Sequence, residues 1–433
     1  MNNDNRHDNK QISRRKLLTS LGTLGVGVAG ASLLSGVDKV YGSSVTNAVY
    51  DSAALNVPST NFVNVTDASF KADPTGDKDS TKAINDAFAF AAQNKKAVFF
   101  PGGTYLIEET INVPLHVSFY GVGHASEIKA TAPISMFKFA SQGTDQKGNR
   151  YGEMSGLYIN GNQIATIGLE LAYVVVERLF QAVQIENVSG PAIRMDTSQN
   201  NTFVSVNIEH CKQGIVLLNG AGNNAFYRCE INEPGDVGIL FGSDESLTGY
   251  GKNAFSNQST GNEFNKCIIE RGTTAGYGVH IKSGYRNVFW NCDIVAGRLA
   301  KVKIDFGDNQ SLNGFYRCAF TCSDNEIAIS AGGYRTMIQD SIIKGYEKAN
   351  PTCIEVFNET HIIHCHLSEK TYKIVNKAGD RKINIRFTPL NAVGSTENRP
   401  NHGHMGVGVQ YYNITTEMLE IWNGEAWKSV AFK

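Results

Sequence analysis

Proline is scarce in this chain, at 10 residues in 433, and no charge of one sign dominates, the formal net charge being −1. Without a basic domain or stripe, a nucleic-acid partner is excluded. No paired C-x-x-C motif accompanies the eight cysteines, and Cys318/Cys322 has no matching pair, so a structural zinc site is excluded too. Long apolar runs are missing except Leu17–Leu34, which Gly22, Gly25, Gly27 and Gly30 interrupt. What is abundant is glycine, 43 residues, among many short apolar runs. That composition favours strands and tight turns over helices.

Residues 1–42 read as an address label. Ser13-Arg14-Arg15-Lys16-Leu17-Leu18 resembles the twin-arginine export signal, with a polar stretch before it and the mildly apolar run behind it. A weak membrane anchor is the competing reading. Cleavage after Gly42 fits, although the A-x-A pattern is absent. Residues 1–42 carry six basic and three acidic side chains, so the mature chain has a net charge of −1 − 3 = −4. Residues 43–60 form a polar linker.

Order starts near Phe62, where Phe62–Val65 alternates as a first strand. Asp73–Thr81 reads as a turn ending in a helix N-cap at Asp79 or Ser80. Ala83, Ile84, Ala87, Phe88, Ala91 and Ala92 then share one helical face, with Asn94 as the stop. Ala97–Ile107 gives two short strands about a tight turn. The stretch Asp73–Ile107 resembles the entry segment of the pectate-lyase-like superfamily, which includes polygalacturonase-like and rhamnogalacturonase-like enzymes, epimerases and phage tailspikes. The shared pattern is an acidic Gly turn, a D-S-T-x-A-I helix start and V-x-F-P-x-G-T-Y. The resemblance implies a right-handed parallel β-helix with this helix capping its first coil, and structural roles for Asp73, Asp77 and Asp79.

An internal repeat leads to the same fold without the resemblance. Segments starting at Asn201, Asn224, Asn262, Asn287 and Asn313 align as N-x-F-x-x-C-x-I, with Val206 in the first Cys place and Phe320 in the last Ile place; degenerate copies start at Thr336 and Thr360. The starts are 23, 38, 25, 26, 23 and 24 residues apart. Such a period suits one coil of three short strands at ~3.3 Å per residue. Leucine-rich repeats share the period but not the Leu spacing. Coils stacked at ~4.8 Å place equivalent residues in columns: an Asn turn ladder, an inward Phe column, and inward Cys and Ile columns. Cys229, Cys267, Cys292, Cys318 and Cys365 stack too closely, with parallel Cβ vectors, for easy bridging. They read as free, buried thiols, consistent with folding before export; disulfides in an exported protein are the competing reading. His361, His364 and His366 alternate to different faces, which argues against a metal.

The outward positions beside the Cys column carry Glu209, Glu230, Glu270 and Asp293 on four successive coils. Diagonal pairs such as Glu230/Glu270 and Glu270/Asp293 have backbones roughly 8 Å apart. Carboxyl pairs ~6.5–9.5 Å apart suit an inverting glycosidase. Glu230, Glu270 and Asp293 are therefore the catalytic candidates. Glu209, the cations Arg228, Lys266 and Arg317, and the aromatics Tyr227, Trp290 and Tyr316 are candidates for substrate binding; a cation could equally serve a lyase. A charged, solvated exterior is the alternative reading of this stripe. About 14 extra residues near Ser243–Thr260 suggest a groove wall. The polygalacturonase set of paired aspartates, Gly-His-Gly and Arg-x-Lys is absent, Asn401-His402-Gly403-His404 does not replace it, and the long acidic calcium clusters of pectate lyases are not evident, so no catalytic residue carries over by resemblance. No metal or cofactor is expected.

From about residue 386 the character changes. Asn398-Arg399-Pro400, Gln410-Tyr411-Tyr412, Thr415-Thr416 and Trp422-Asn423-Gly424-Glu425-Ala426-Trp427 resemble the terminal module of phage tail and appendage proteins, with Asn423-Gly424 as a hairpin turn. That resemblance implies a homotrimer, in which a site could lie between subunits. The expected partners are a polysaccharide and the twin-arginine machinery, and the expected location is secreted or cell-surface. Two function classes remain: a polysaccharide-degrading enzyme, hydrolase before lyase, or a non-catalytic glycan-binding or structural protein of tailspike type.

Overall fold

A computed structural model of the chain describes residues 61–430, apart from 141–148, 173–174, 243–257, 271, 273, 308–309, 324–325, 346–351, 368–373, 379–382, 387–392, 397–398, 400–409 and 423–424. The export signal, the linker, most of the long insertion, Asn401–His404 and the Asn423-Gly424 turn lie outside the described residues.

The fold is all-β, a parallel β-helix. Its repeating logic is visible in one coil. Thr202–Val204 forms a first short strand, Asn207–Glu209 a second and Gln213–Leu218 a longer third. Between the first two the chain bends at Ser205, which adopts the left-handed conformation (φ 51°). The same corner recurs at Ala182, Arg228, Lys266, Asn291 and Arg317, with φ between 50° and 56°. Each strand pairs in parallel with its counterpart one coil on, so the long strands build an eleven-stranded ladder and the short strands a second sheet. No glycine marks most of these corners. The backbone hydrogen bonds running along the axis hold them in place, for example from Ser205 N to Tyr227 O (2.9 Å) and from Arg228 N to Asn265 O (2.9 Å).

The columns follow from this register. Asn201, Asn224, Asn262, Asn287 and Asn313 are fully buried. From Asn224 onward each amide oxygen accepts from the backbone N–H and the side-chain amide of the preceding asparagine, as Asn262 Oδ1 does from Asn224 N (3.1 Å) and Nδ2 (3.0 Å). Phe180, Phe203, Phe226, Phe264, Phe289 and Phe315 stack face to face, with centroids 4.5–4.9 Å apart. The seven cysteines whose side chains are described are all buried, and Cys211, Cys229, Cys267, Cys292, Cys318 and Cys365 are free thiols. Cys267, Cys292 and Cys318 each donate weakly to a carbonyl of the preceding coil at 3.4 Å. Burial pushes the Cys211 thiol up to about 12 and Cys365 to about 11, which keeps both protonated and inert.

The entry segment differs locally from expectation. Thr75–Asp79 is an edge strand paired with Gly103–Ile107 rather than part of a turn, because that strand offers it a free edge. Helix α1 spans Thr81–Asn94 and packs on Phe62–Asn64, Ala97–Phe99 and Ile111–Val113. Its buried face is Thr81, Ile84, Ala87, Phe88 and Ala91, whereas Ala92 is exposed, and the chain turns away at left-handed Lys95, not at Asn94. Ser80 caps without a side-chain bond, while Asp79 accepts from Thr81 N (3.1 Å). Asp73 clamps the turn, accepting from Thr75 and Lys78, and the Thr75 hydroxyl leads in holding its carboxyl below the ordinary value.

At the C-terminus, Gln410–Asn413, Met418–Trp422 and Trp427–Val430 form a small antiparallel sheet. Arg399 pairs two-pronged with the buried Glu420, its Nε donating at 2.7 Å. Among the described residues no helix is long and apolar enough to cross a membrane.

Candidate functional site

The second short strands stack into a narrow face whose inward residues are Ile128, Ile159, Ile185, Ile208, Ile231, Ile269 and Ile294. Strand alternation turns the residues on either side of each isoleucine outward. In one outward column Asn207, Glu230, Ile268, Asp293 and Ala319 face each other in turn; in the other, Glu186, Glu209, Asn232 and Glu270 do so. Glu230 and Glu270 are thus diagonal neighbours, as are Glu270 and Asp293.

The carboxylates are held differently. Glu209 accepts from Asn207 Nδ2 (2.7 Å) and Glu230 from Asn232 Nδ2 (2.8 Å), each two residues away on its own strand. Asp293 lies in its column between Ile268 and Ala319, with Val295 next on its own side. Its Oδ1 is buried and has no hydrogen-bond partner among the described residues. Burial among these apolar neighbours raises its pKa, opposed by the more distant Lys344. A carboxyl with a raised pKa, diagonal to a second carboxylate, is an arrangement that suits general acid–base chemistry.

Around the left-handed corner, Tyr227, Asn265, Trp290 and Tyr316 form one outward column of the first short strands. Asn265 separates Tyr227 from the other two. Trp290 and Tyr316 stack at 4.2 Å, and Tyr316 lies over Gly314, where a Cβ would meet its ring at 2.4 Å. Arg228, Lys266 and Arg317 are exposed at the corner itself, between the aromatic column and the carboxylate face.

A second cluster occupies the same face nearer the N-terminus. Tyr158, 8% exposed, donates its hydroxyl to Glu186 Oε2 (2.9 Å), and Gln184 donates to the other oxygen. Burial and then the Glu186 bond push the Tyr158 phenol well above its ordinary value, so it acts as a donor. Glu127 accepts from Thr104 (2.8 Å) and Asn160 (2.8 Å). His124 stacks on Tyr158 at 4.2 Å. It is lifted there by an irregularity at 120–127, where Gly121 touches Gly156 so closely that an added Cβ would lie 2.3 Å from a carbonyl. Sequence reasoning missed this cluster. Its one legible signal was Tyr158-Ile-Asn160 and Gln184-Ile-Glu186, the same outward–Ile–outward pattern as Asn207-Ile-Glu209.

The sequence profile of the family described as "Rhamnogalacturonase A/epimerase, pectate lyase-like" matches residues 62–294. The chain belongs to that family. The matched span includes α1, both carboxylate clusters and Trp290, and ends at Ile294, one residue past Asp293. No curated protein sequence matches the chain. Solved structures share this family's fold at low identity. ORF18 of Geobacillus virus E2 is 14% identical with a TM-score of 0.58, over 86% of this chain and 87% of that one. The A-module of the Azotobacter vinelandii mannuronan C-5 epimerase AlgE4 is 12% identical with a TM-score of 0.56, over 74% and 99%. PfbA, a surface adhesin of Streptococcus pneumoniae, is 12% identical with a TM-score of 0.50, over 86% and 100%.

A depression of about 230 Å³ lies elsewhere on this family member, lined by Arg150, Glu177, Gln199 and Asn200 at the corner before the Asn column. The carboxylate face, though more open, is the stronger candidate, because it carries the buried Asp293 oxygen one diagonal from Glu270. The three histidines of the 361–366 stretch diverge: His361 meets Glu359 (3.1 Å), His364 sits at a left-handed corner facing Asp340 (3.5 Å), and His366 is exposed on the next strand.

Proposed function

We propose that the chain is an exported carbohydrate-active protein that cleaves a polysaccharide by hydrolysis on the face of the second short strands. Asp293 protonates the glycosidic oxygen and Glu270 draws a proton from the attacking water, so that the C–O bond breaks as water adds at the anomeric carbon. Glu230, diagonal to Glu270 on the other side, is the alternate partner. Glu209 and the corner residues Arg228, Lys266, Arg317, Tyr227, Trp290 and Tyr316 hold the chain of sugars. The observation that carries this reading is Asp293, an acid with a raised pKa and an unpaired buried oxygen one diagonal from a second carboxylate. The expected diagonal, roughly 8 Å at the backbone, suits the inverting geometry with room for one water. Export rests on the twin-arginine-like residues 1–42, and trimer formation on the likeness of the C-terminal module to phage appendages.

A non-catalytic binding role is the second reading. It is favoured by the openness of the face, since the concavity described above lies at another corner. Reducing-end release from a polysaccharide panel separates the two. Hydrolysis predicts release by the wild type and at least a hundredfold less by Asp293→Asn. Unsaturated uronates appearing with the reducing ends would instead mean elimination, with Arg228, Lys266 or Arg317 as base. Binding without release would mean an adhesive role.

A further inference from the structure

The charge of the face bears on which glycan it takes, an inference that rests on the reading just given. From Glu127 to Lys344, the outward residues of the second short strands include six carboxylates, Glu127, Glu186, Glu209, Glu230, Glu270 and Asp293, against Lys129 and Lys344 at the two ends. Glu127, Glu186, Glu209 and Glu230 take their hydrogen bonds from neutral donors: Thr104 and Asn160, Tyr158 and Gln184, Asn207, and Asn232. Among the described residues no lysine, arginine or histidine nitrogen lies within ion-pair distance of these four. Their charges are fixed in place but not cancelled.

We infer that this face selects an uncharged glycan and rejects uronate polymers. Carboxylates accept hydrogen bonds from sugar hydroxyls, and each of these is already oriented by a side-chain donor. The His124–Tyr158 stack offers an aromatic platform at one end and the Trp290–Tyr316 stack another around the corner. A polymer bearing a carboxylate on every sugar would bring a row of like charges along a face whose coils rise only ~4.8 Å each. Neighbouring coils lie within the screening length at low salt, roughly 30 Å at 0.01 M, and at 0.15 M, where it is roughly 8 Å, but charges two or more coils apart, ~9.6 Å and beyond, are screened at the higher salt. Asp293 sharpens the exclusion, because its apolar surroundings already disfavour one negative charge there. The opposing feature is Arg228, Lys266 and Arg317 at the corner, two residues before Glu230, Ile268 and Ala319 of the face; if they governed binding, uronates would be preferred.

The test uses the full chain and matched polymers: polygalacturonate, alginate and a glucuronan, each beside its carboxyl-reduced twin, with binding measured by affinity electrophoresis at 20 and 200 mM NaCl. At least one reduced polymer is expected to bind ten times or more tightly than its native parent, with little salt dependence. Residual binding of the native parent should strengthen as salt is added, and Glu186→Gln/Glu209→Gln should improve it several-fold. Tighter binding of the native polymers that weakens with salt would overturn the inference and assign recognition to the corner cations. Binding of neither set would overturn it as well. Turnover is scored separately: a reduced polymer that binds but is never cleaved leaves the selectivity standing and refutes hydrolysis.

Discussion

Replacing Asn262 with alanine tests whether the buried asparagine column holds the coils together. Asn262 is fully buried. Its oxygen accepts from Asn224 N and Nδ2, and its amide donates to Ala221 O (3.0 Å) and Asn287 Oδ1 (2.9 Å). Removing the side chain strands the Asn224 amide N–H, one Asn224 side-chain hydrogen and the Ala221 carbonyl in a dry interior. Asn287 Oδ1 keeps the Asn262 backbone N–H (3.1 Å) and is spared. At roughly 1–3 kcal/mol for each orphaned group, with some relaxation, the loss should be about 3–5 kcal/mol. Asn291→Ala is the control: that residue is exposed at a left-handed corner (φ 53°), and the change should cost only about 1 kcal/mol of backbone strain. Guanidinium unfolding followed by circular dichroism gives the global effect. Because stacked coils can unfold in parts, hydrogen exchange of the peptide containing Asn224 gives the local one. A loss at Asn262 below about 1 kcal/mol, with protection of Asn224 unchanged, would refute the reasoning.

Phe264→Ala, within the stacked aromatic column, should cost about 3–5 kcal/mol in the same titration. For Asp293 the sign runs opposite to the usual carboxylate: its folded pKa lies above the unfolded 3.8, so folding is penalised as pH rises through that interval and above it. Asp293→Asn should therefore be more stable than the wild type at pH 7.5, and the advantage should vanish as the pH falls to about 4; an advantage independent of pH would contradict the burial argument. The seven described cysteines should ignore Ellman's reagent in the native protein and all react in guanidinium; several fast thiols before unfolding would show that the columns open.

The parts of this fold legible in the sequence are those where burial and self-stacking restrict a position to one residue type. A buried asparagine amide is well satisfied by another stacked on it, and a phenylalanine stacks well on another, so Asn201–Asn313 and Phe203–Phe315 could be aligned by eye. Earlier coils keep the volume but not the identity. Phe180 continues the aromatic column and Val183 stands where later coils have cysteine. Arg178 occupies the asparagine place, its backbone N–H still donating to Asn201 Oδ1 (3.1 Å). The alignment consequently began one coil too late to include Glu186, two too late for Tyr158 and three too late for His124. The corner conformations at Ala182, Ser205, Arg228 and Lys266 carry no glycine signal, because the axial hydrogen bonds impose them. Thr75–Asp79 has turn composition yet forms a strand, a tertiary edge outweighing local propensity. The raised pKa of Asp293 depends on Ile268 and Ala319, 25 and 26 residues away, which only the register brings alongside.

The central claim is that the carboxylate face acts on a polysaccharide through Asp293. The measurement that tests it most directly is reducing-end release by the wild type and by Asp293→Asn, over a panel of neutral and acidic polysaccharides, with absorbance of unsaturated products followed in parallel. Release without unsaturated product is expected from the wild type, with near-complete loss in a folded Asp293→Asn protein. Full release by that variant, on any polymer the wild type cleaves, would contradict it.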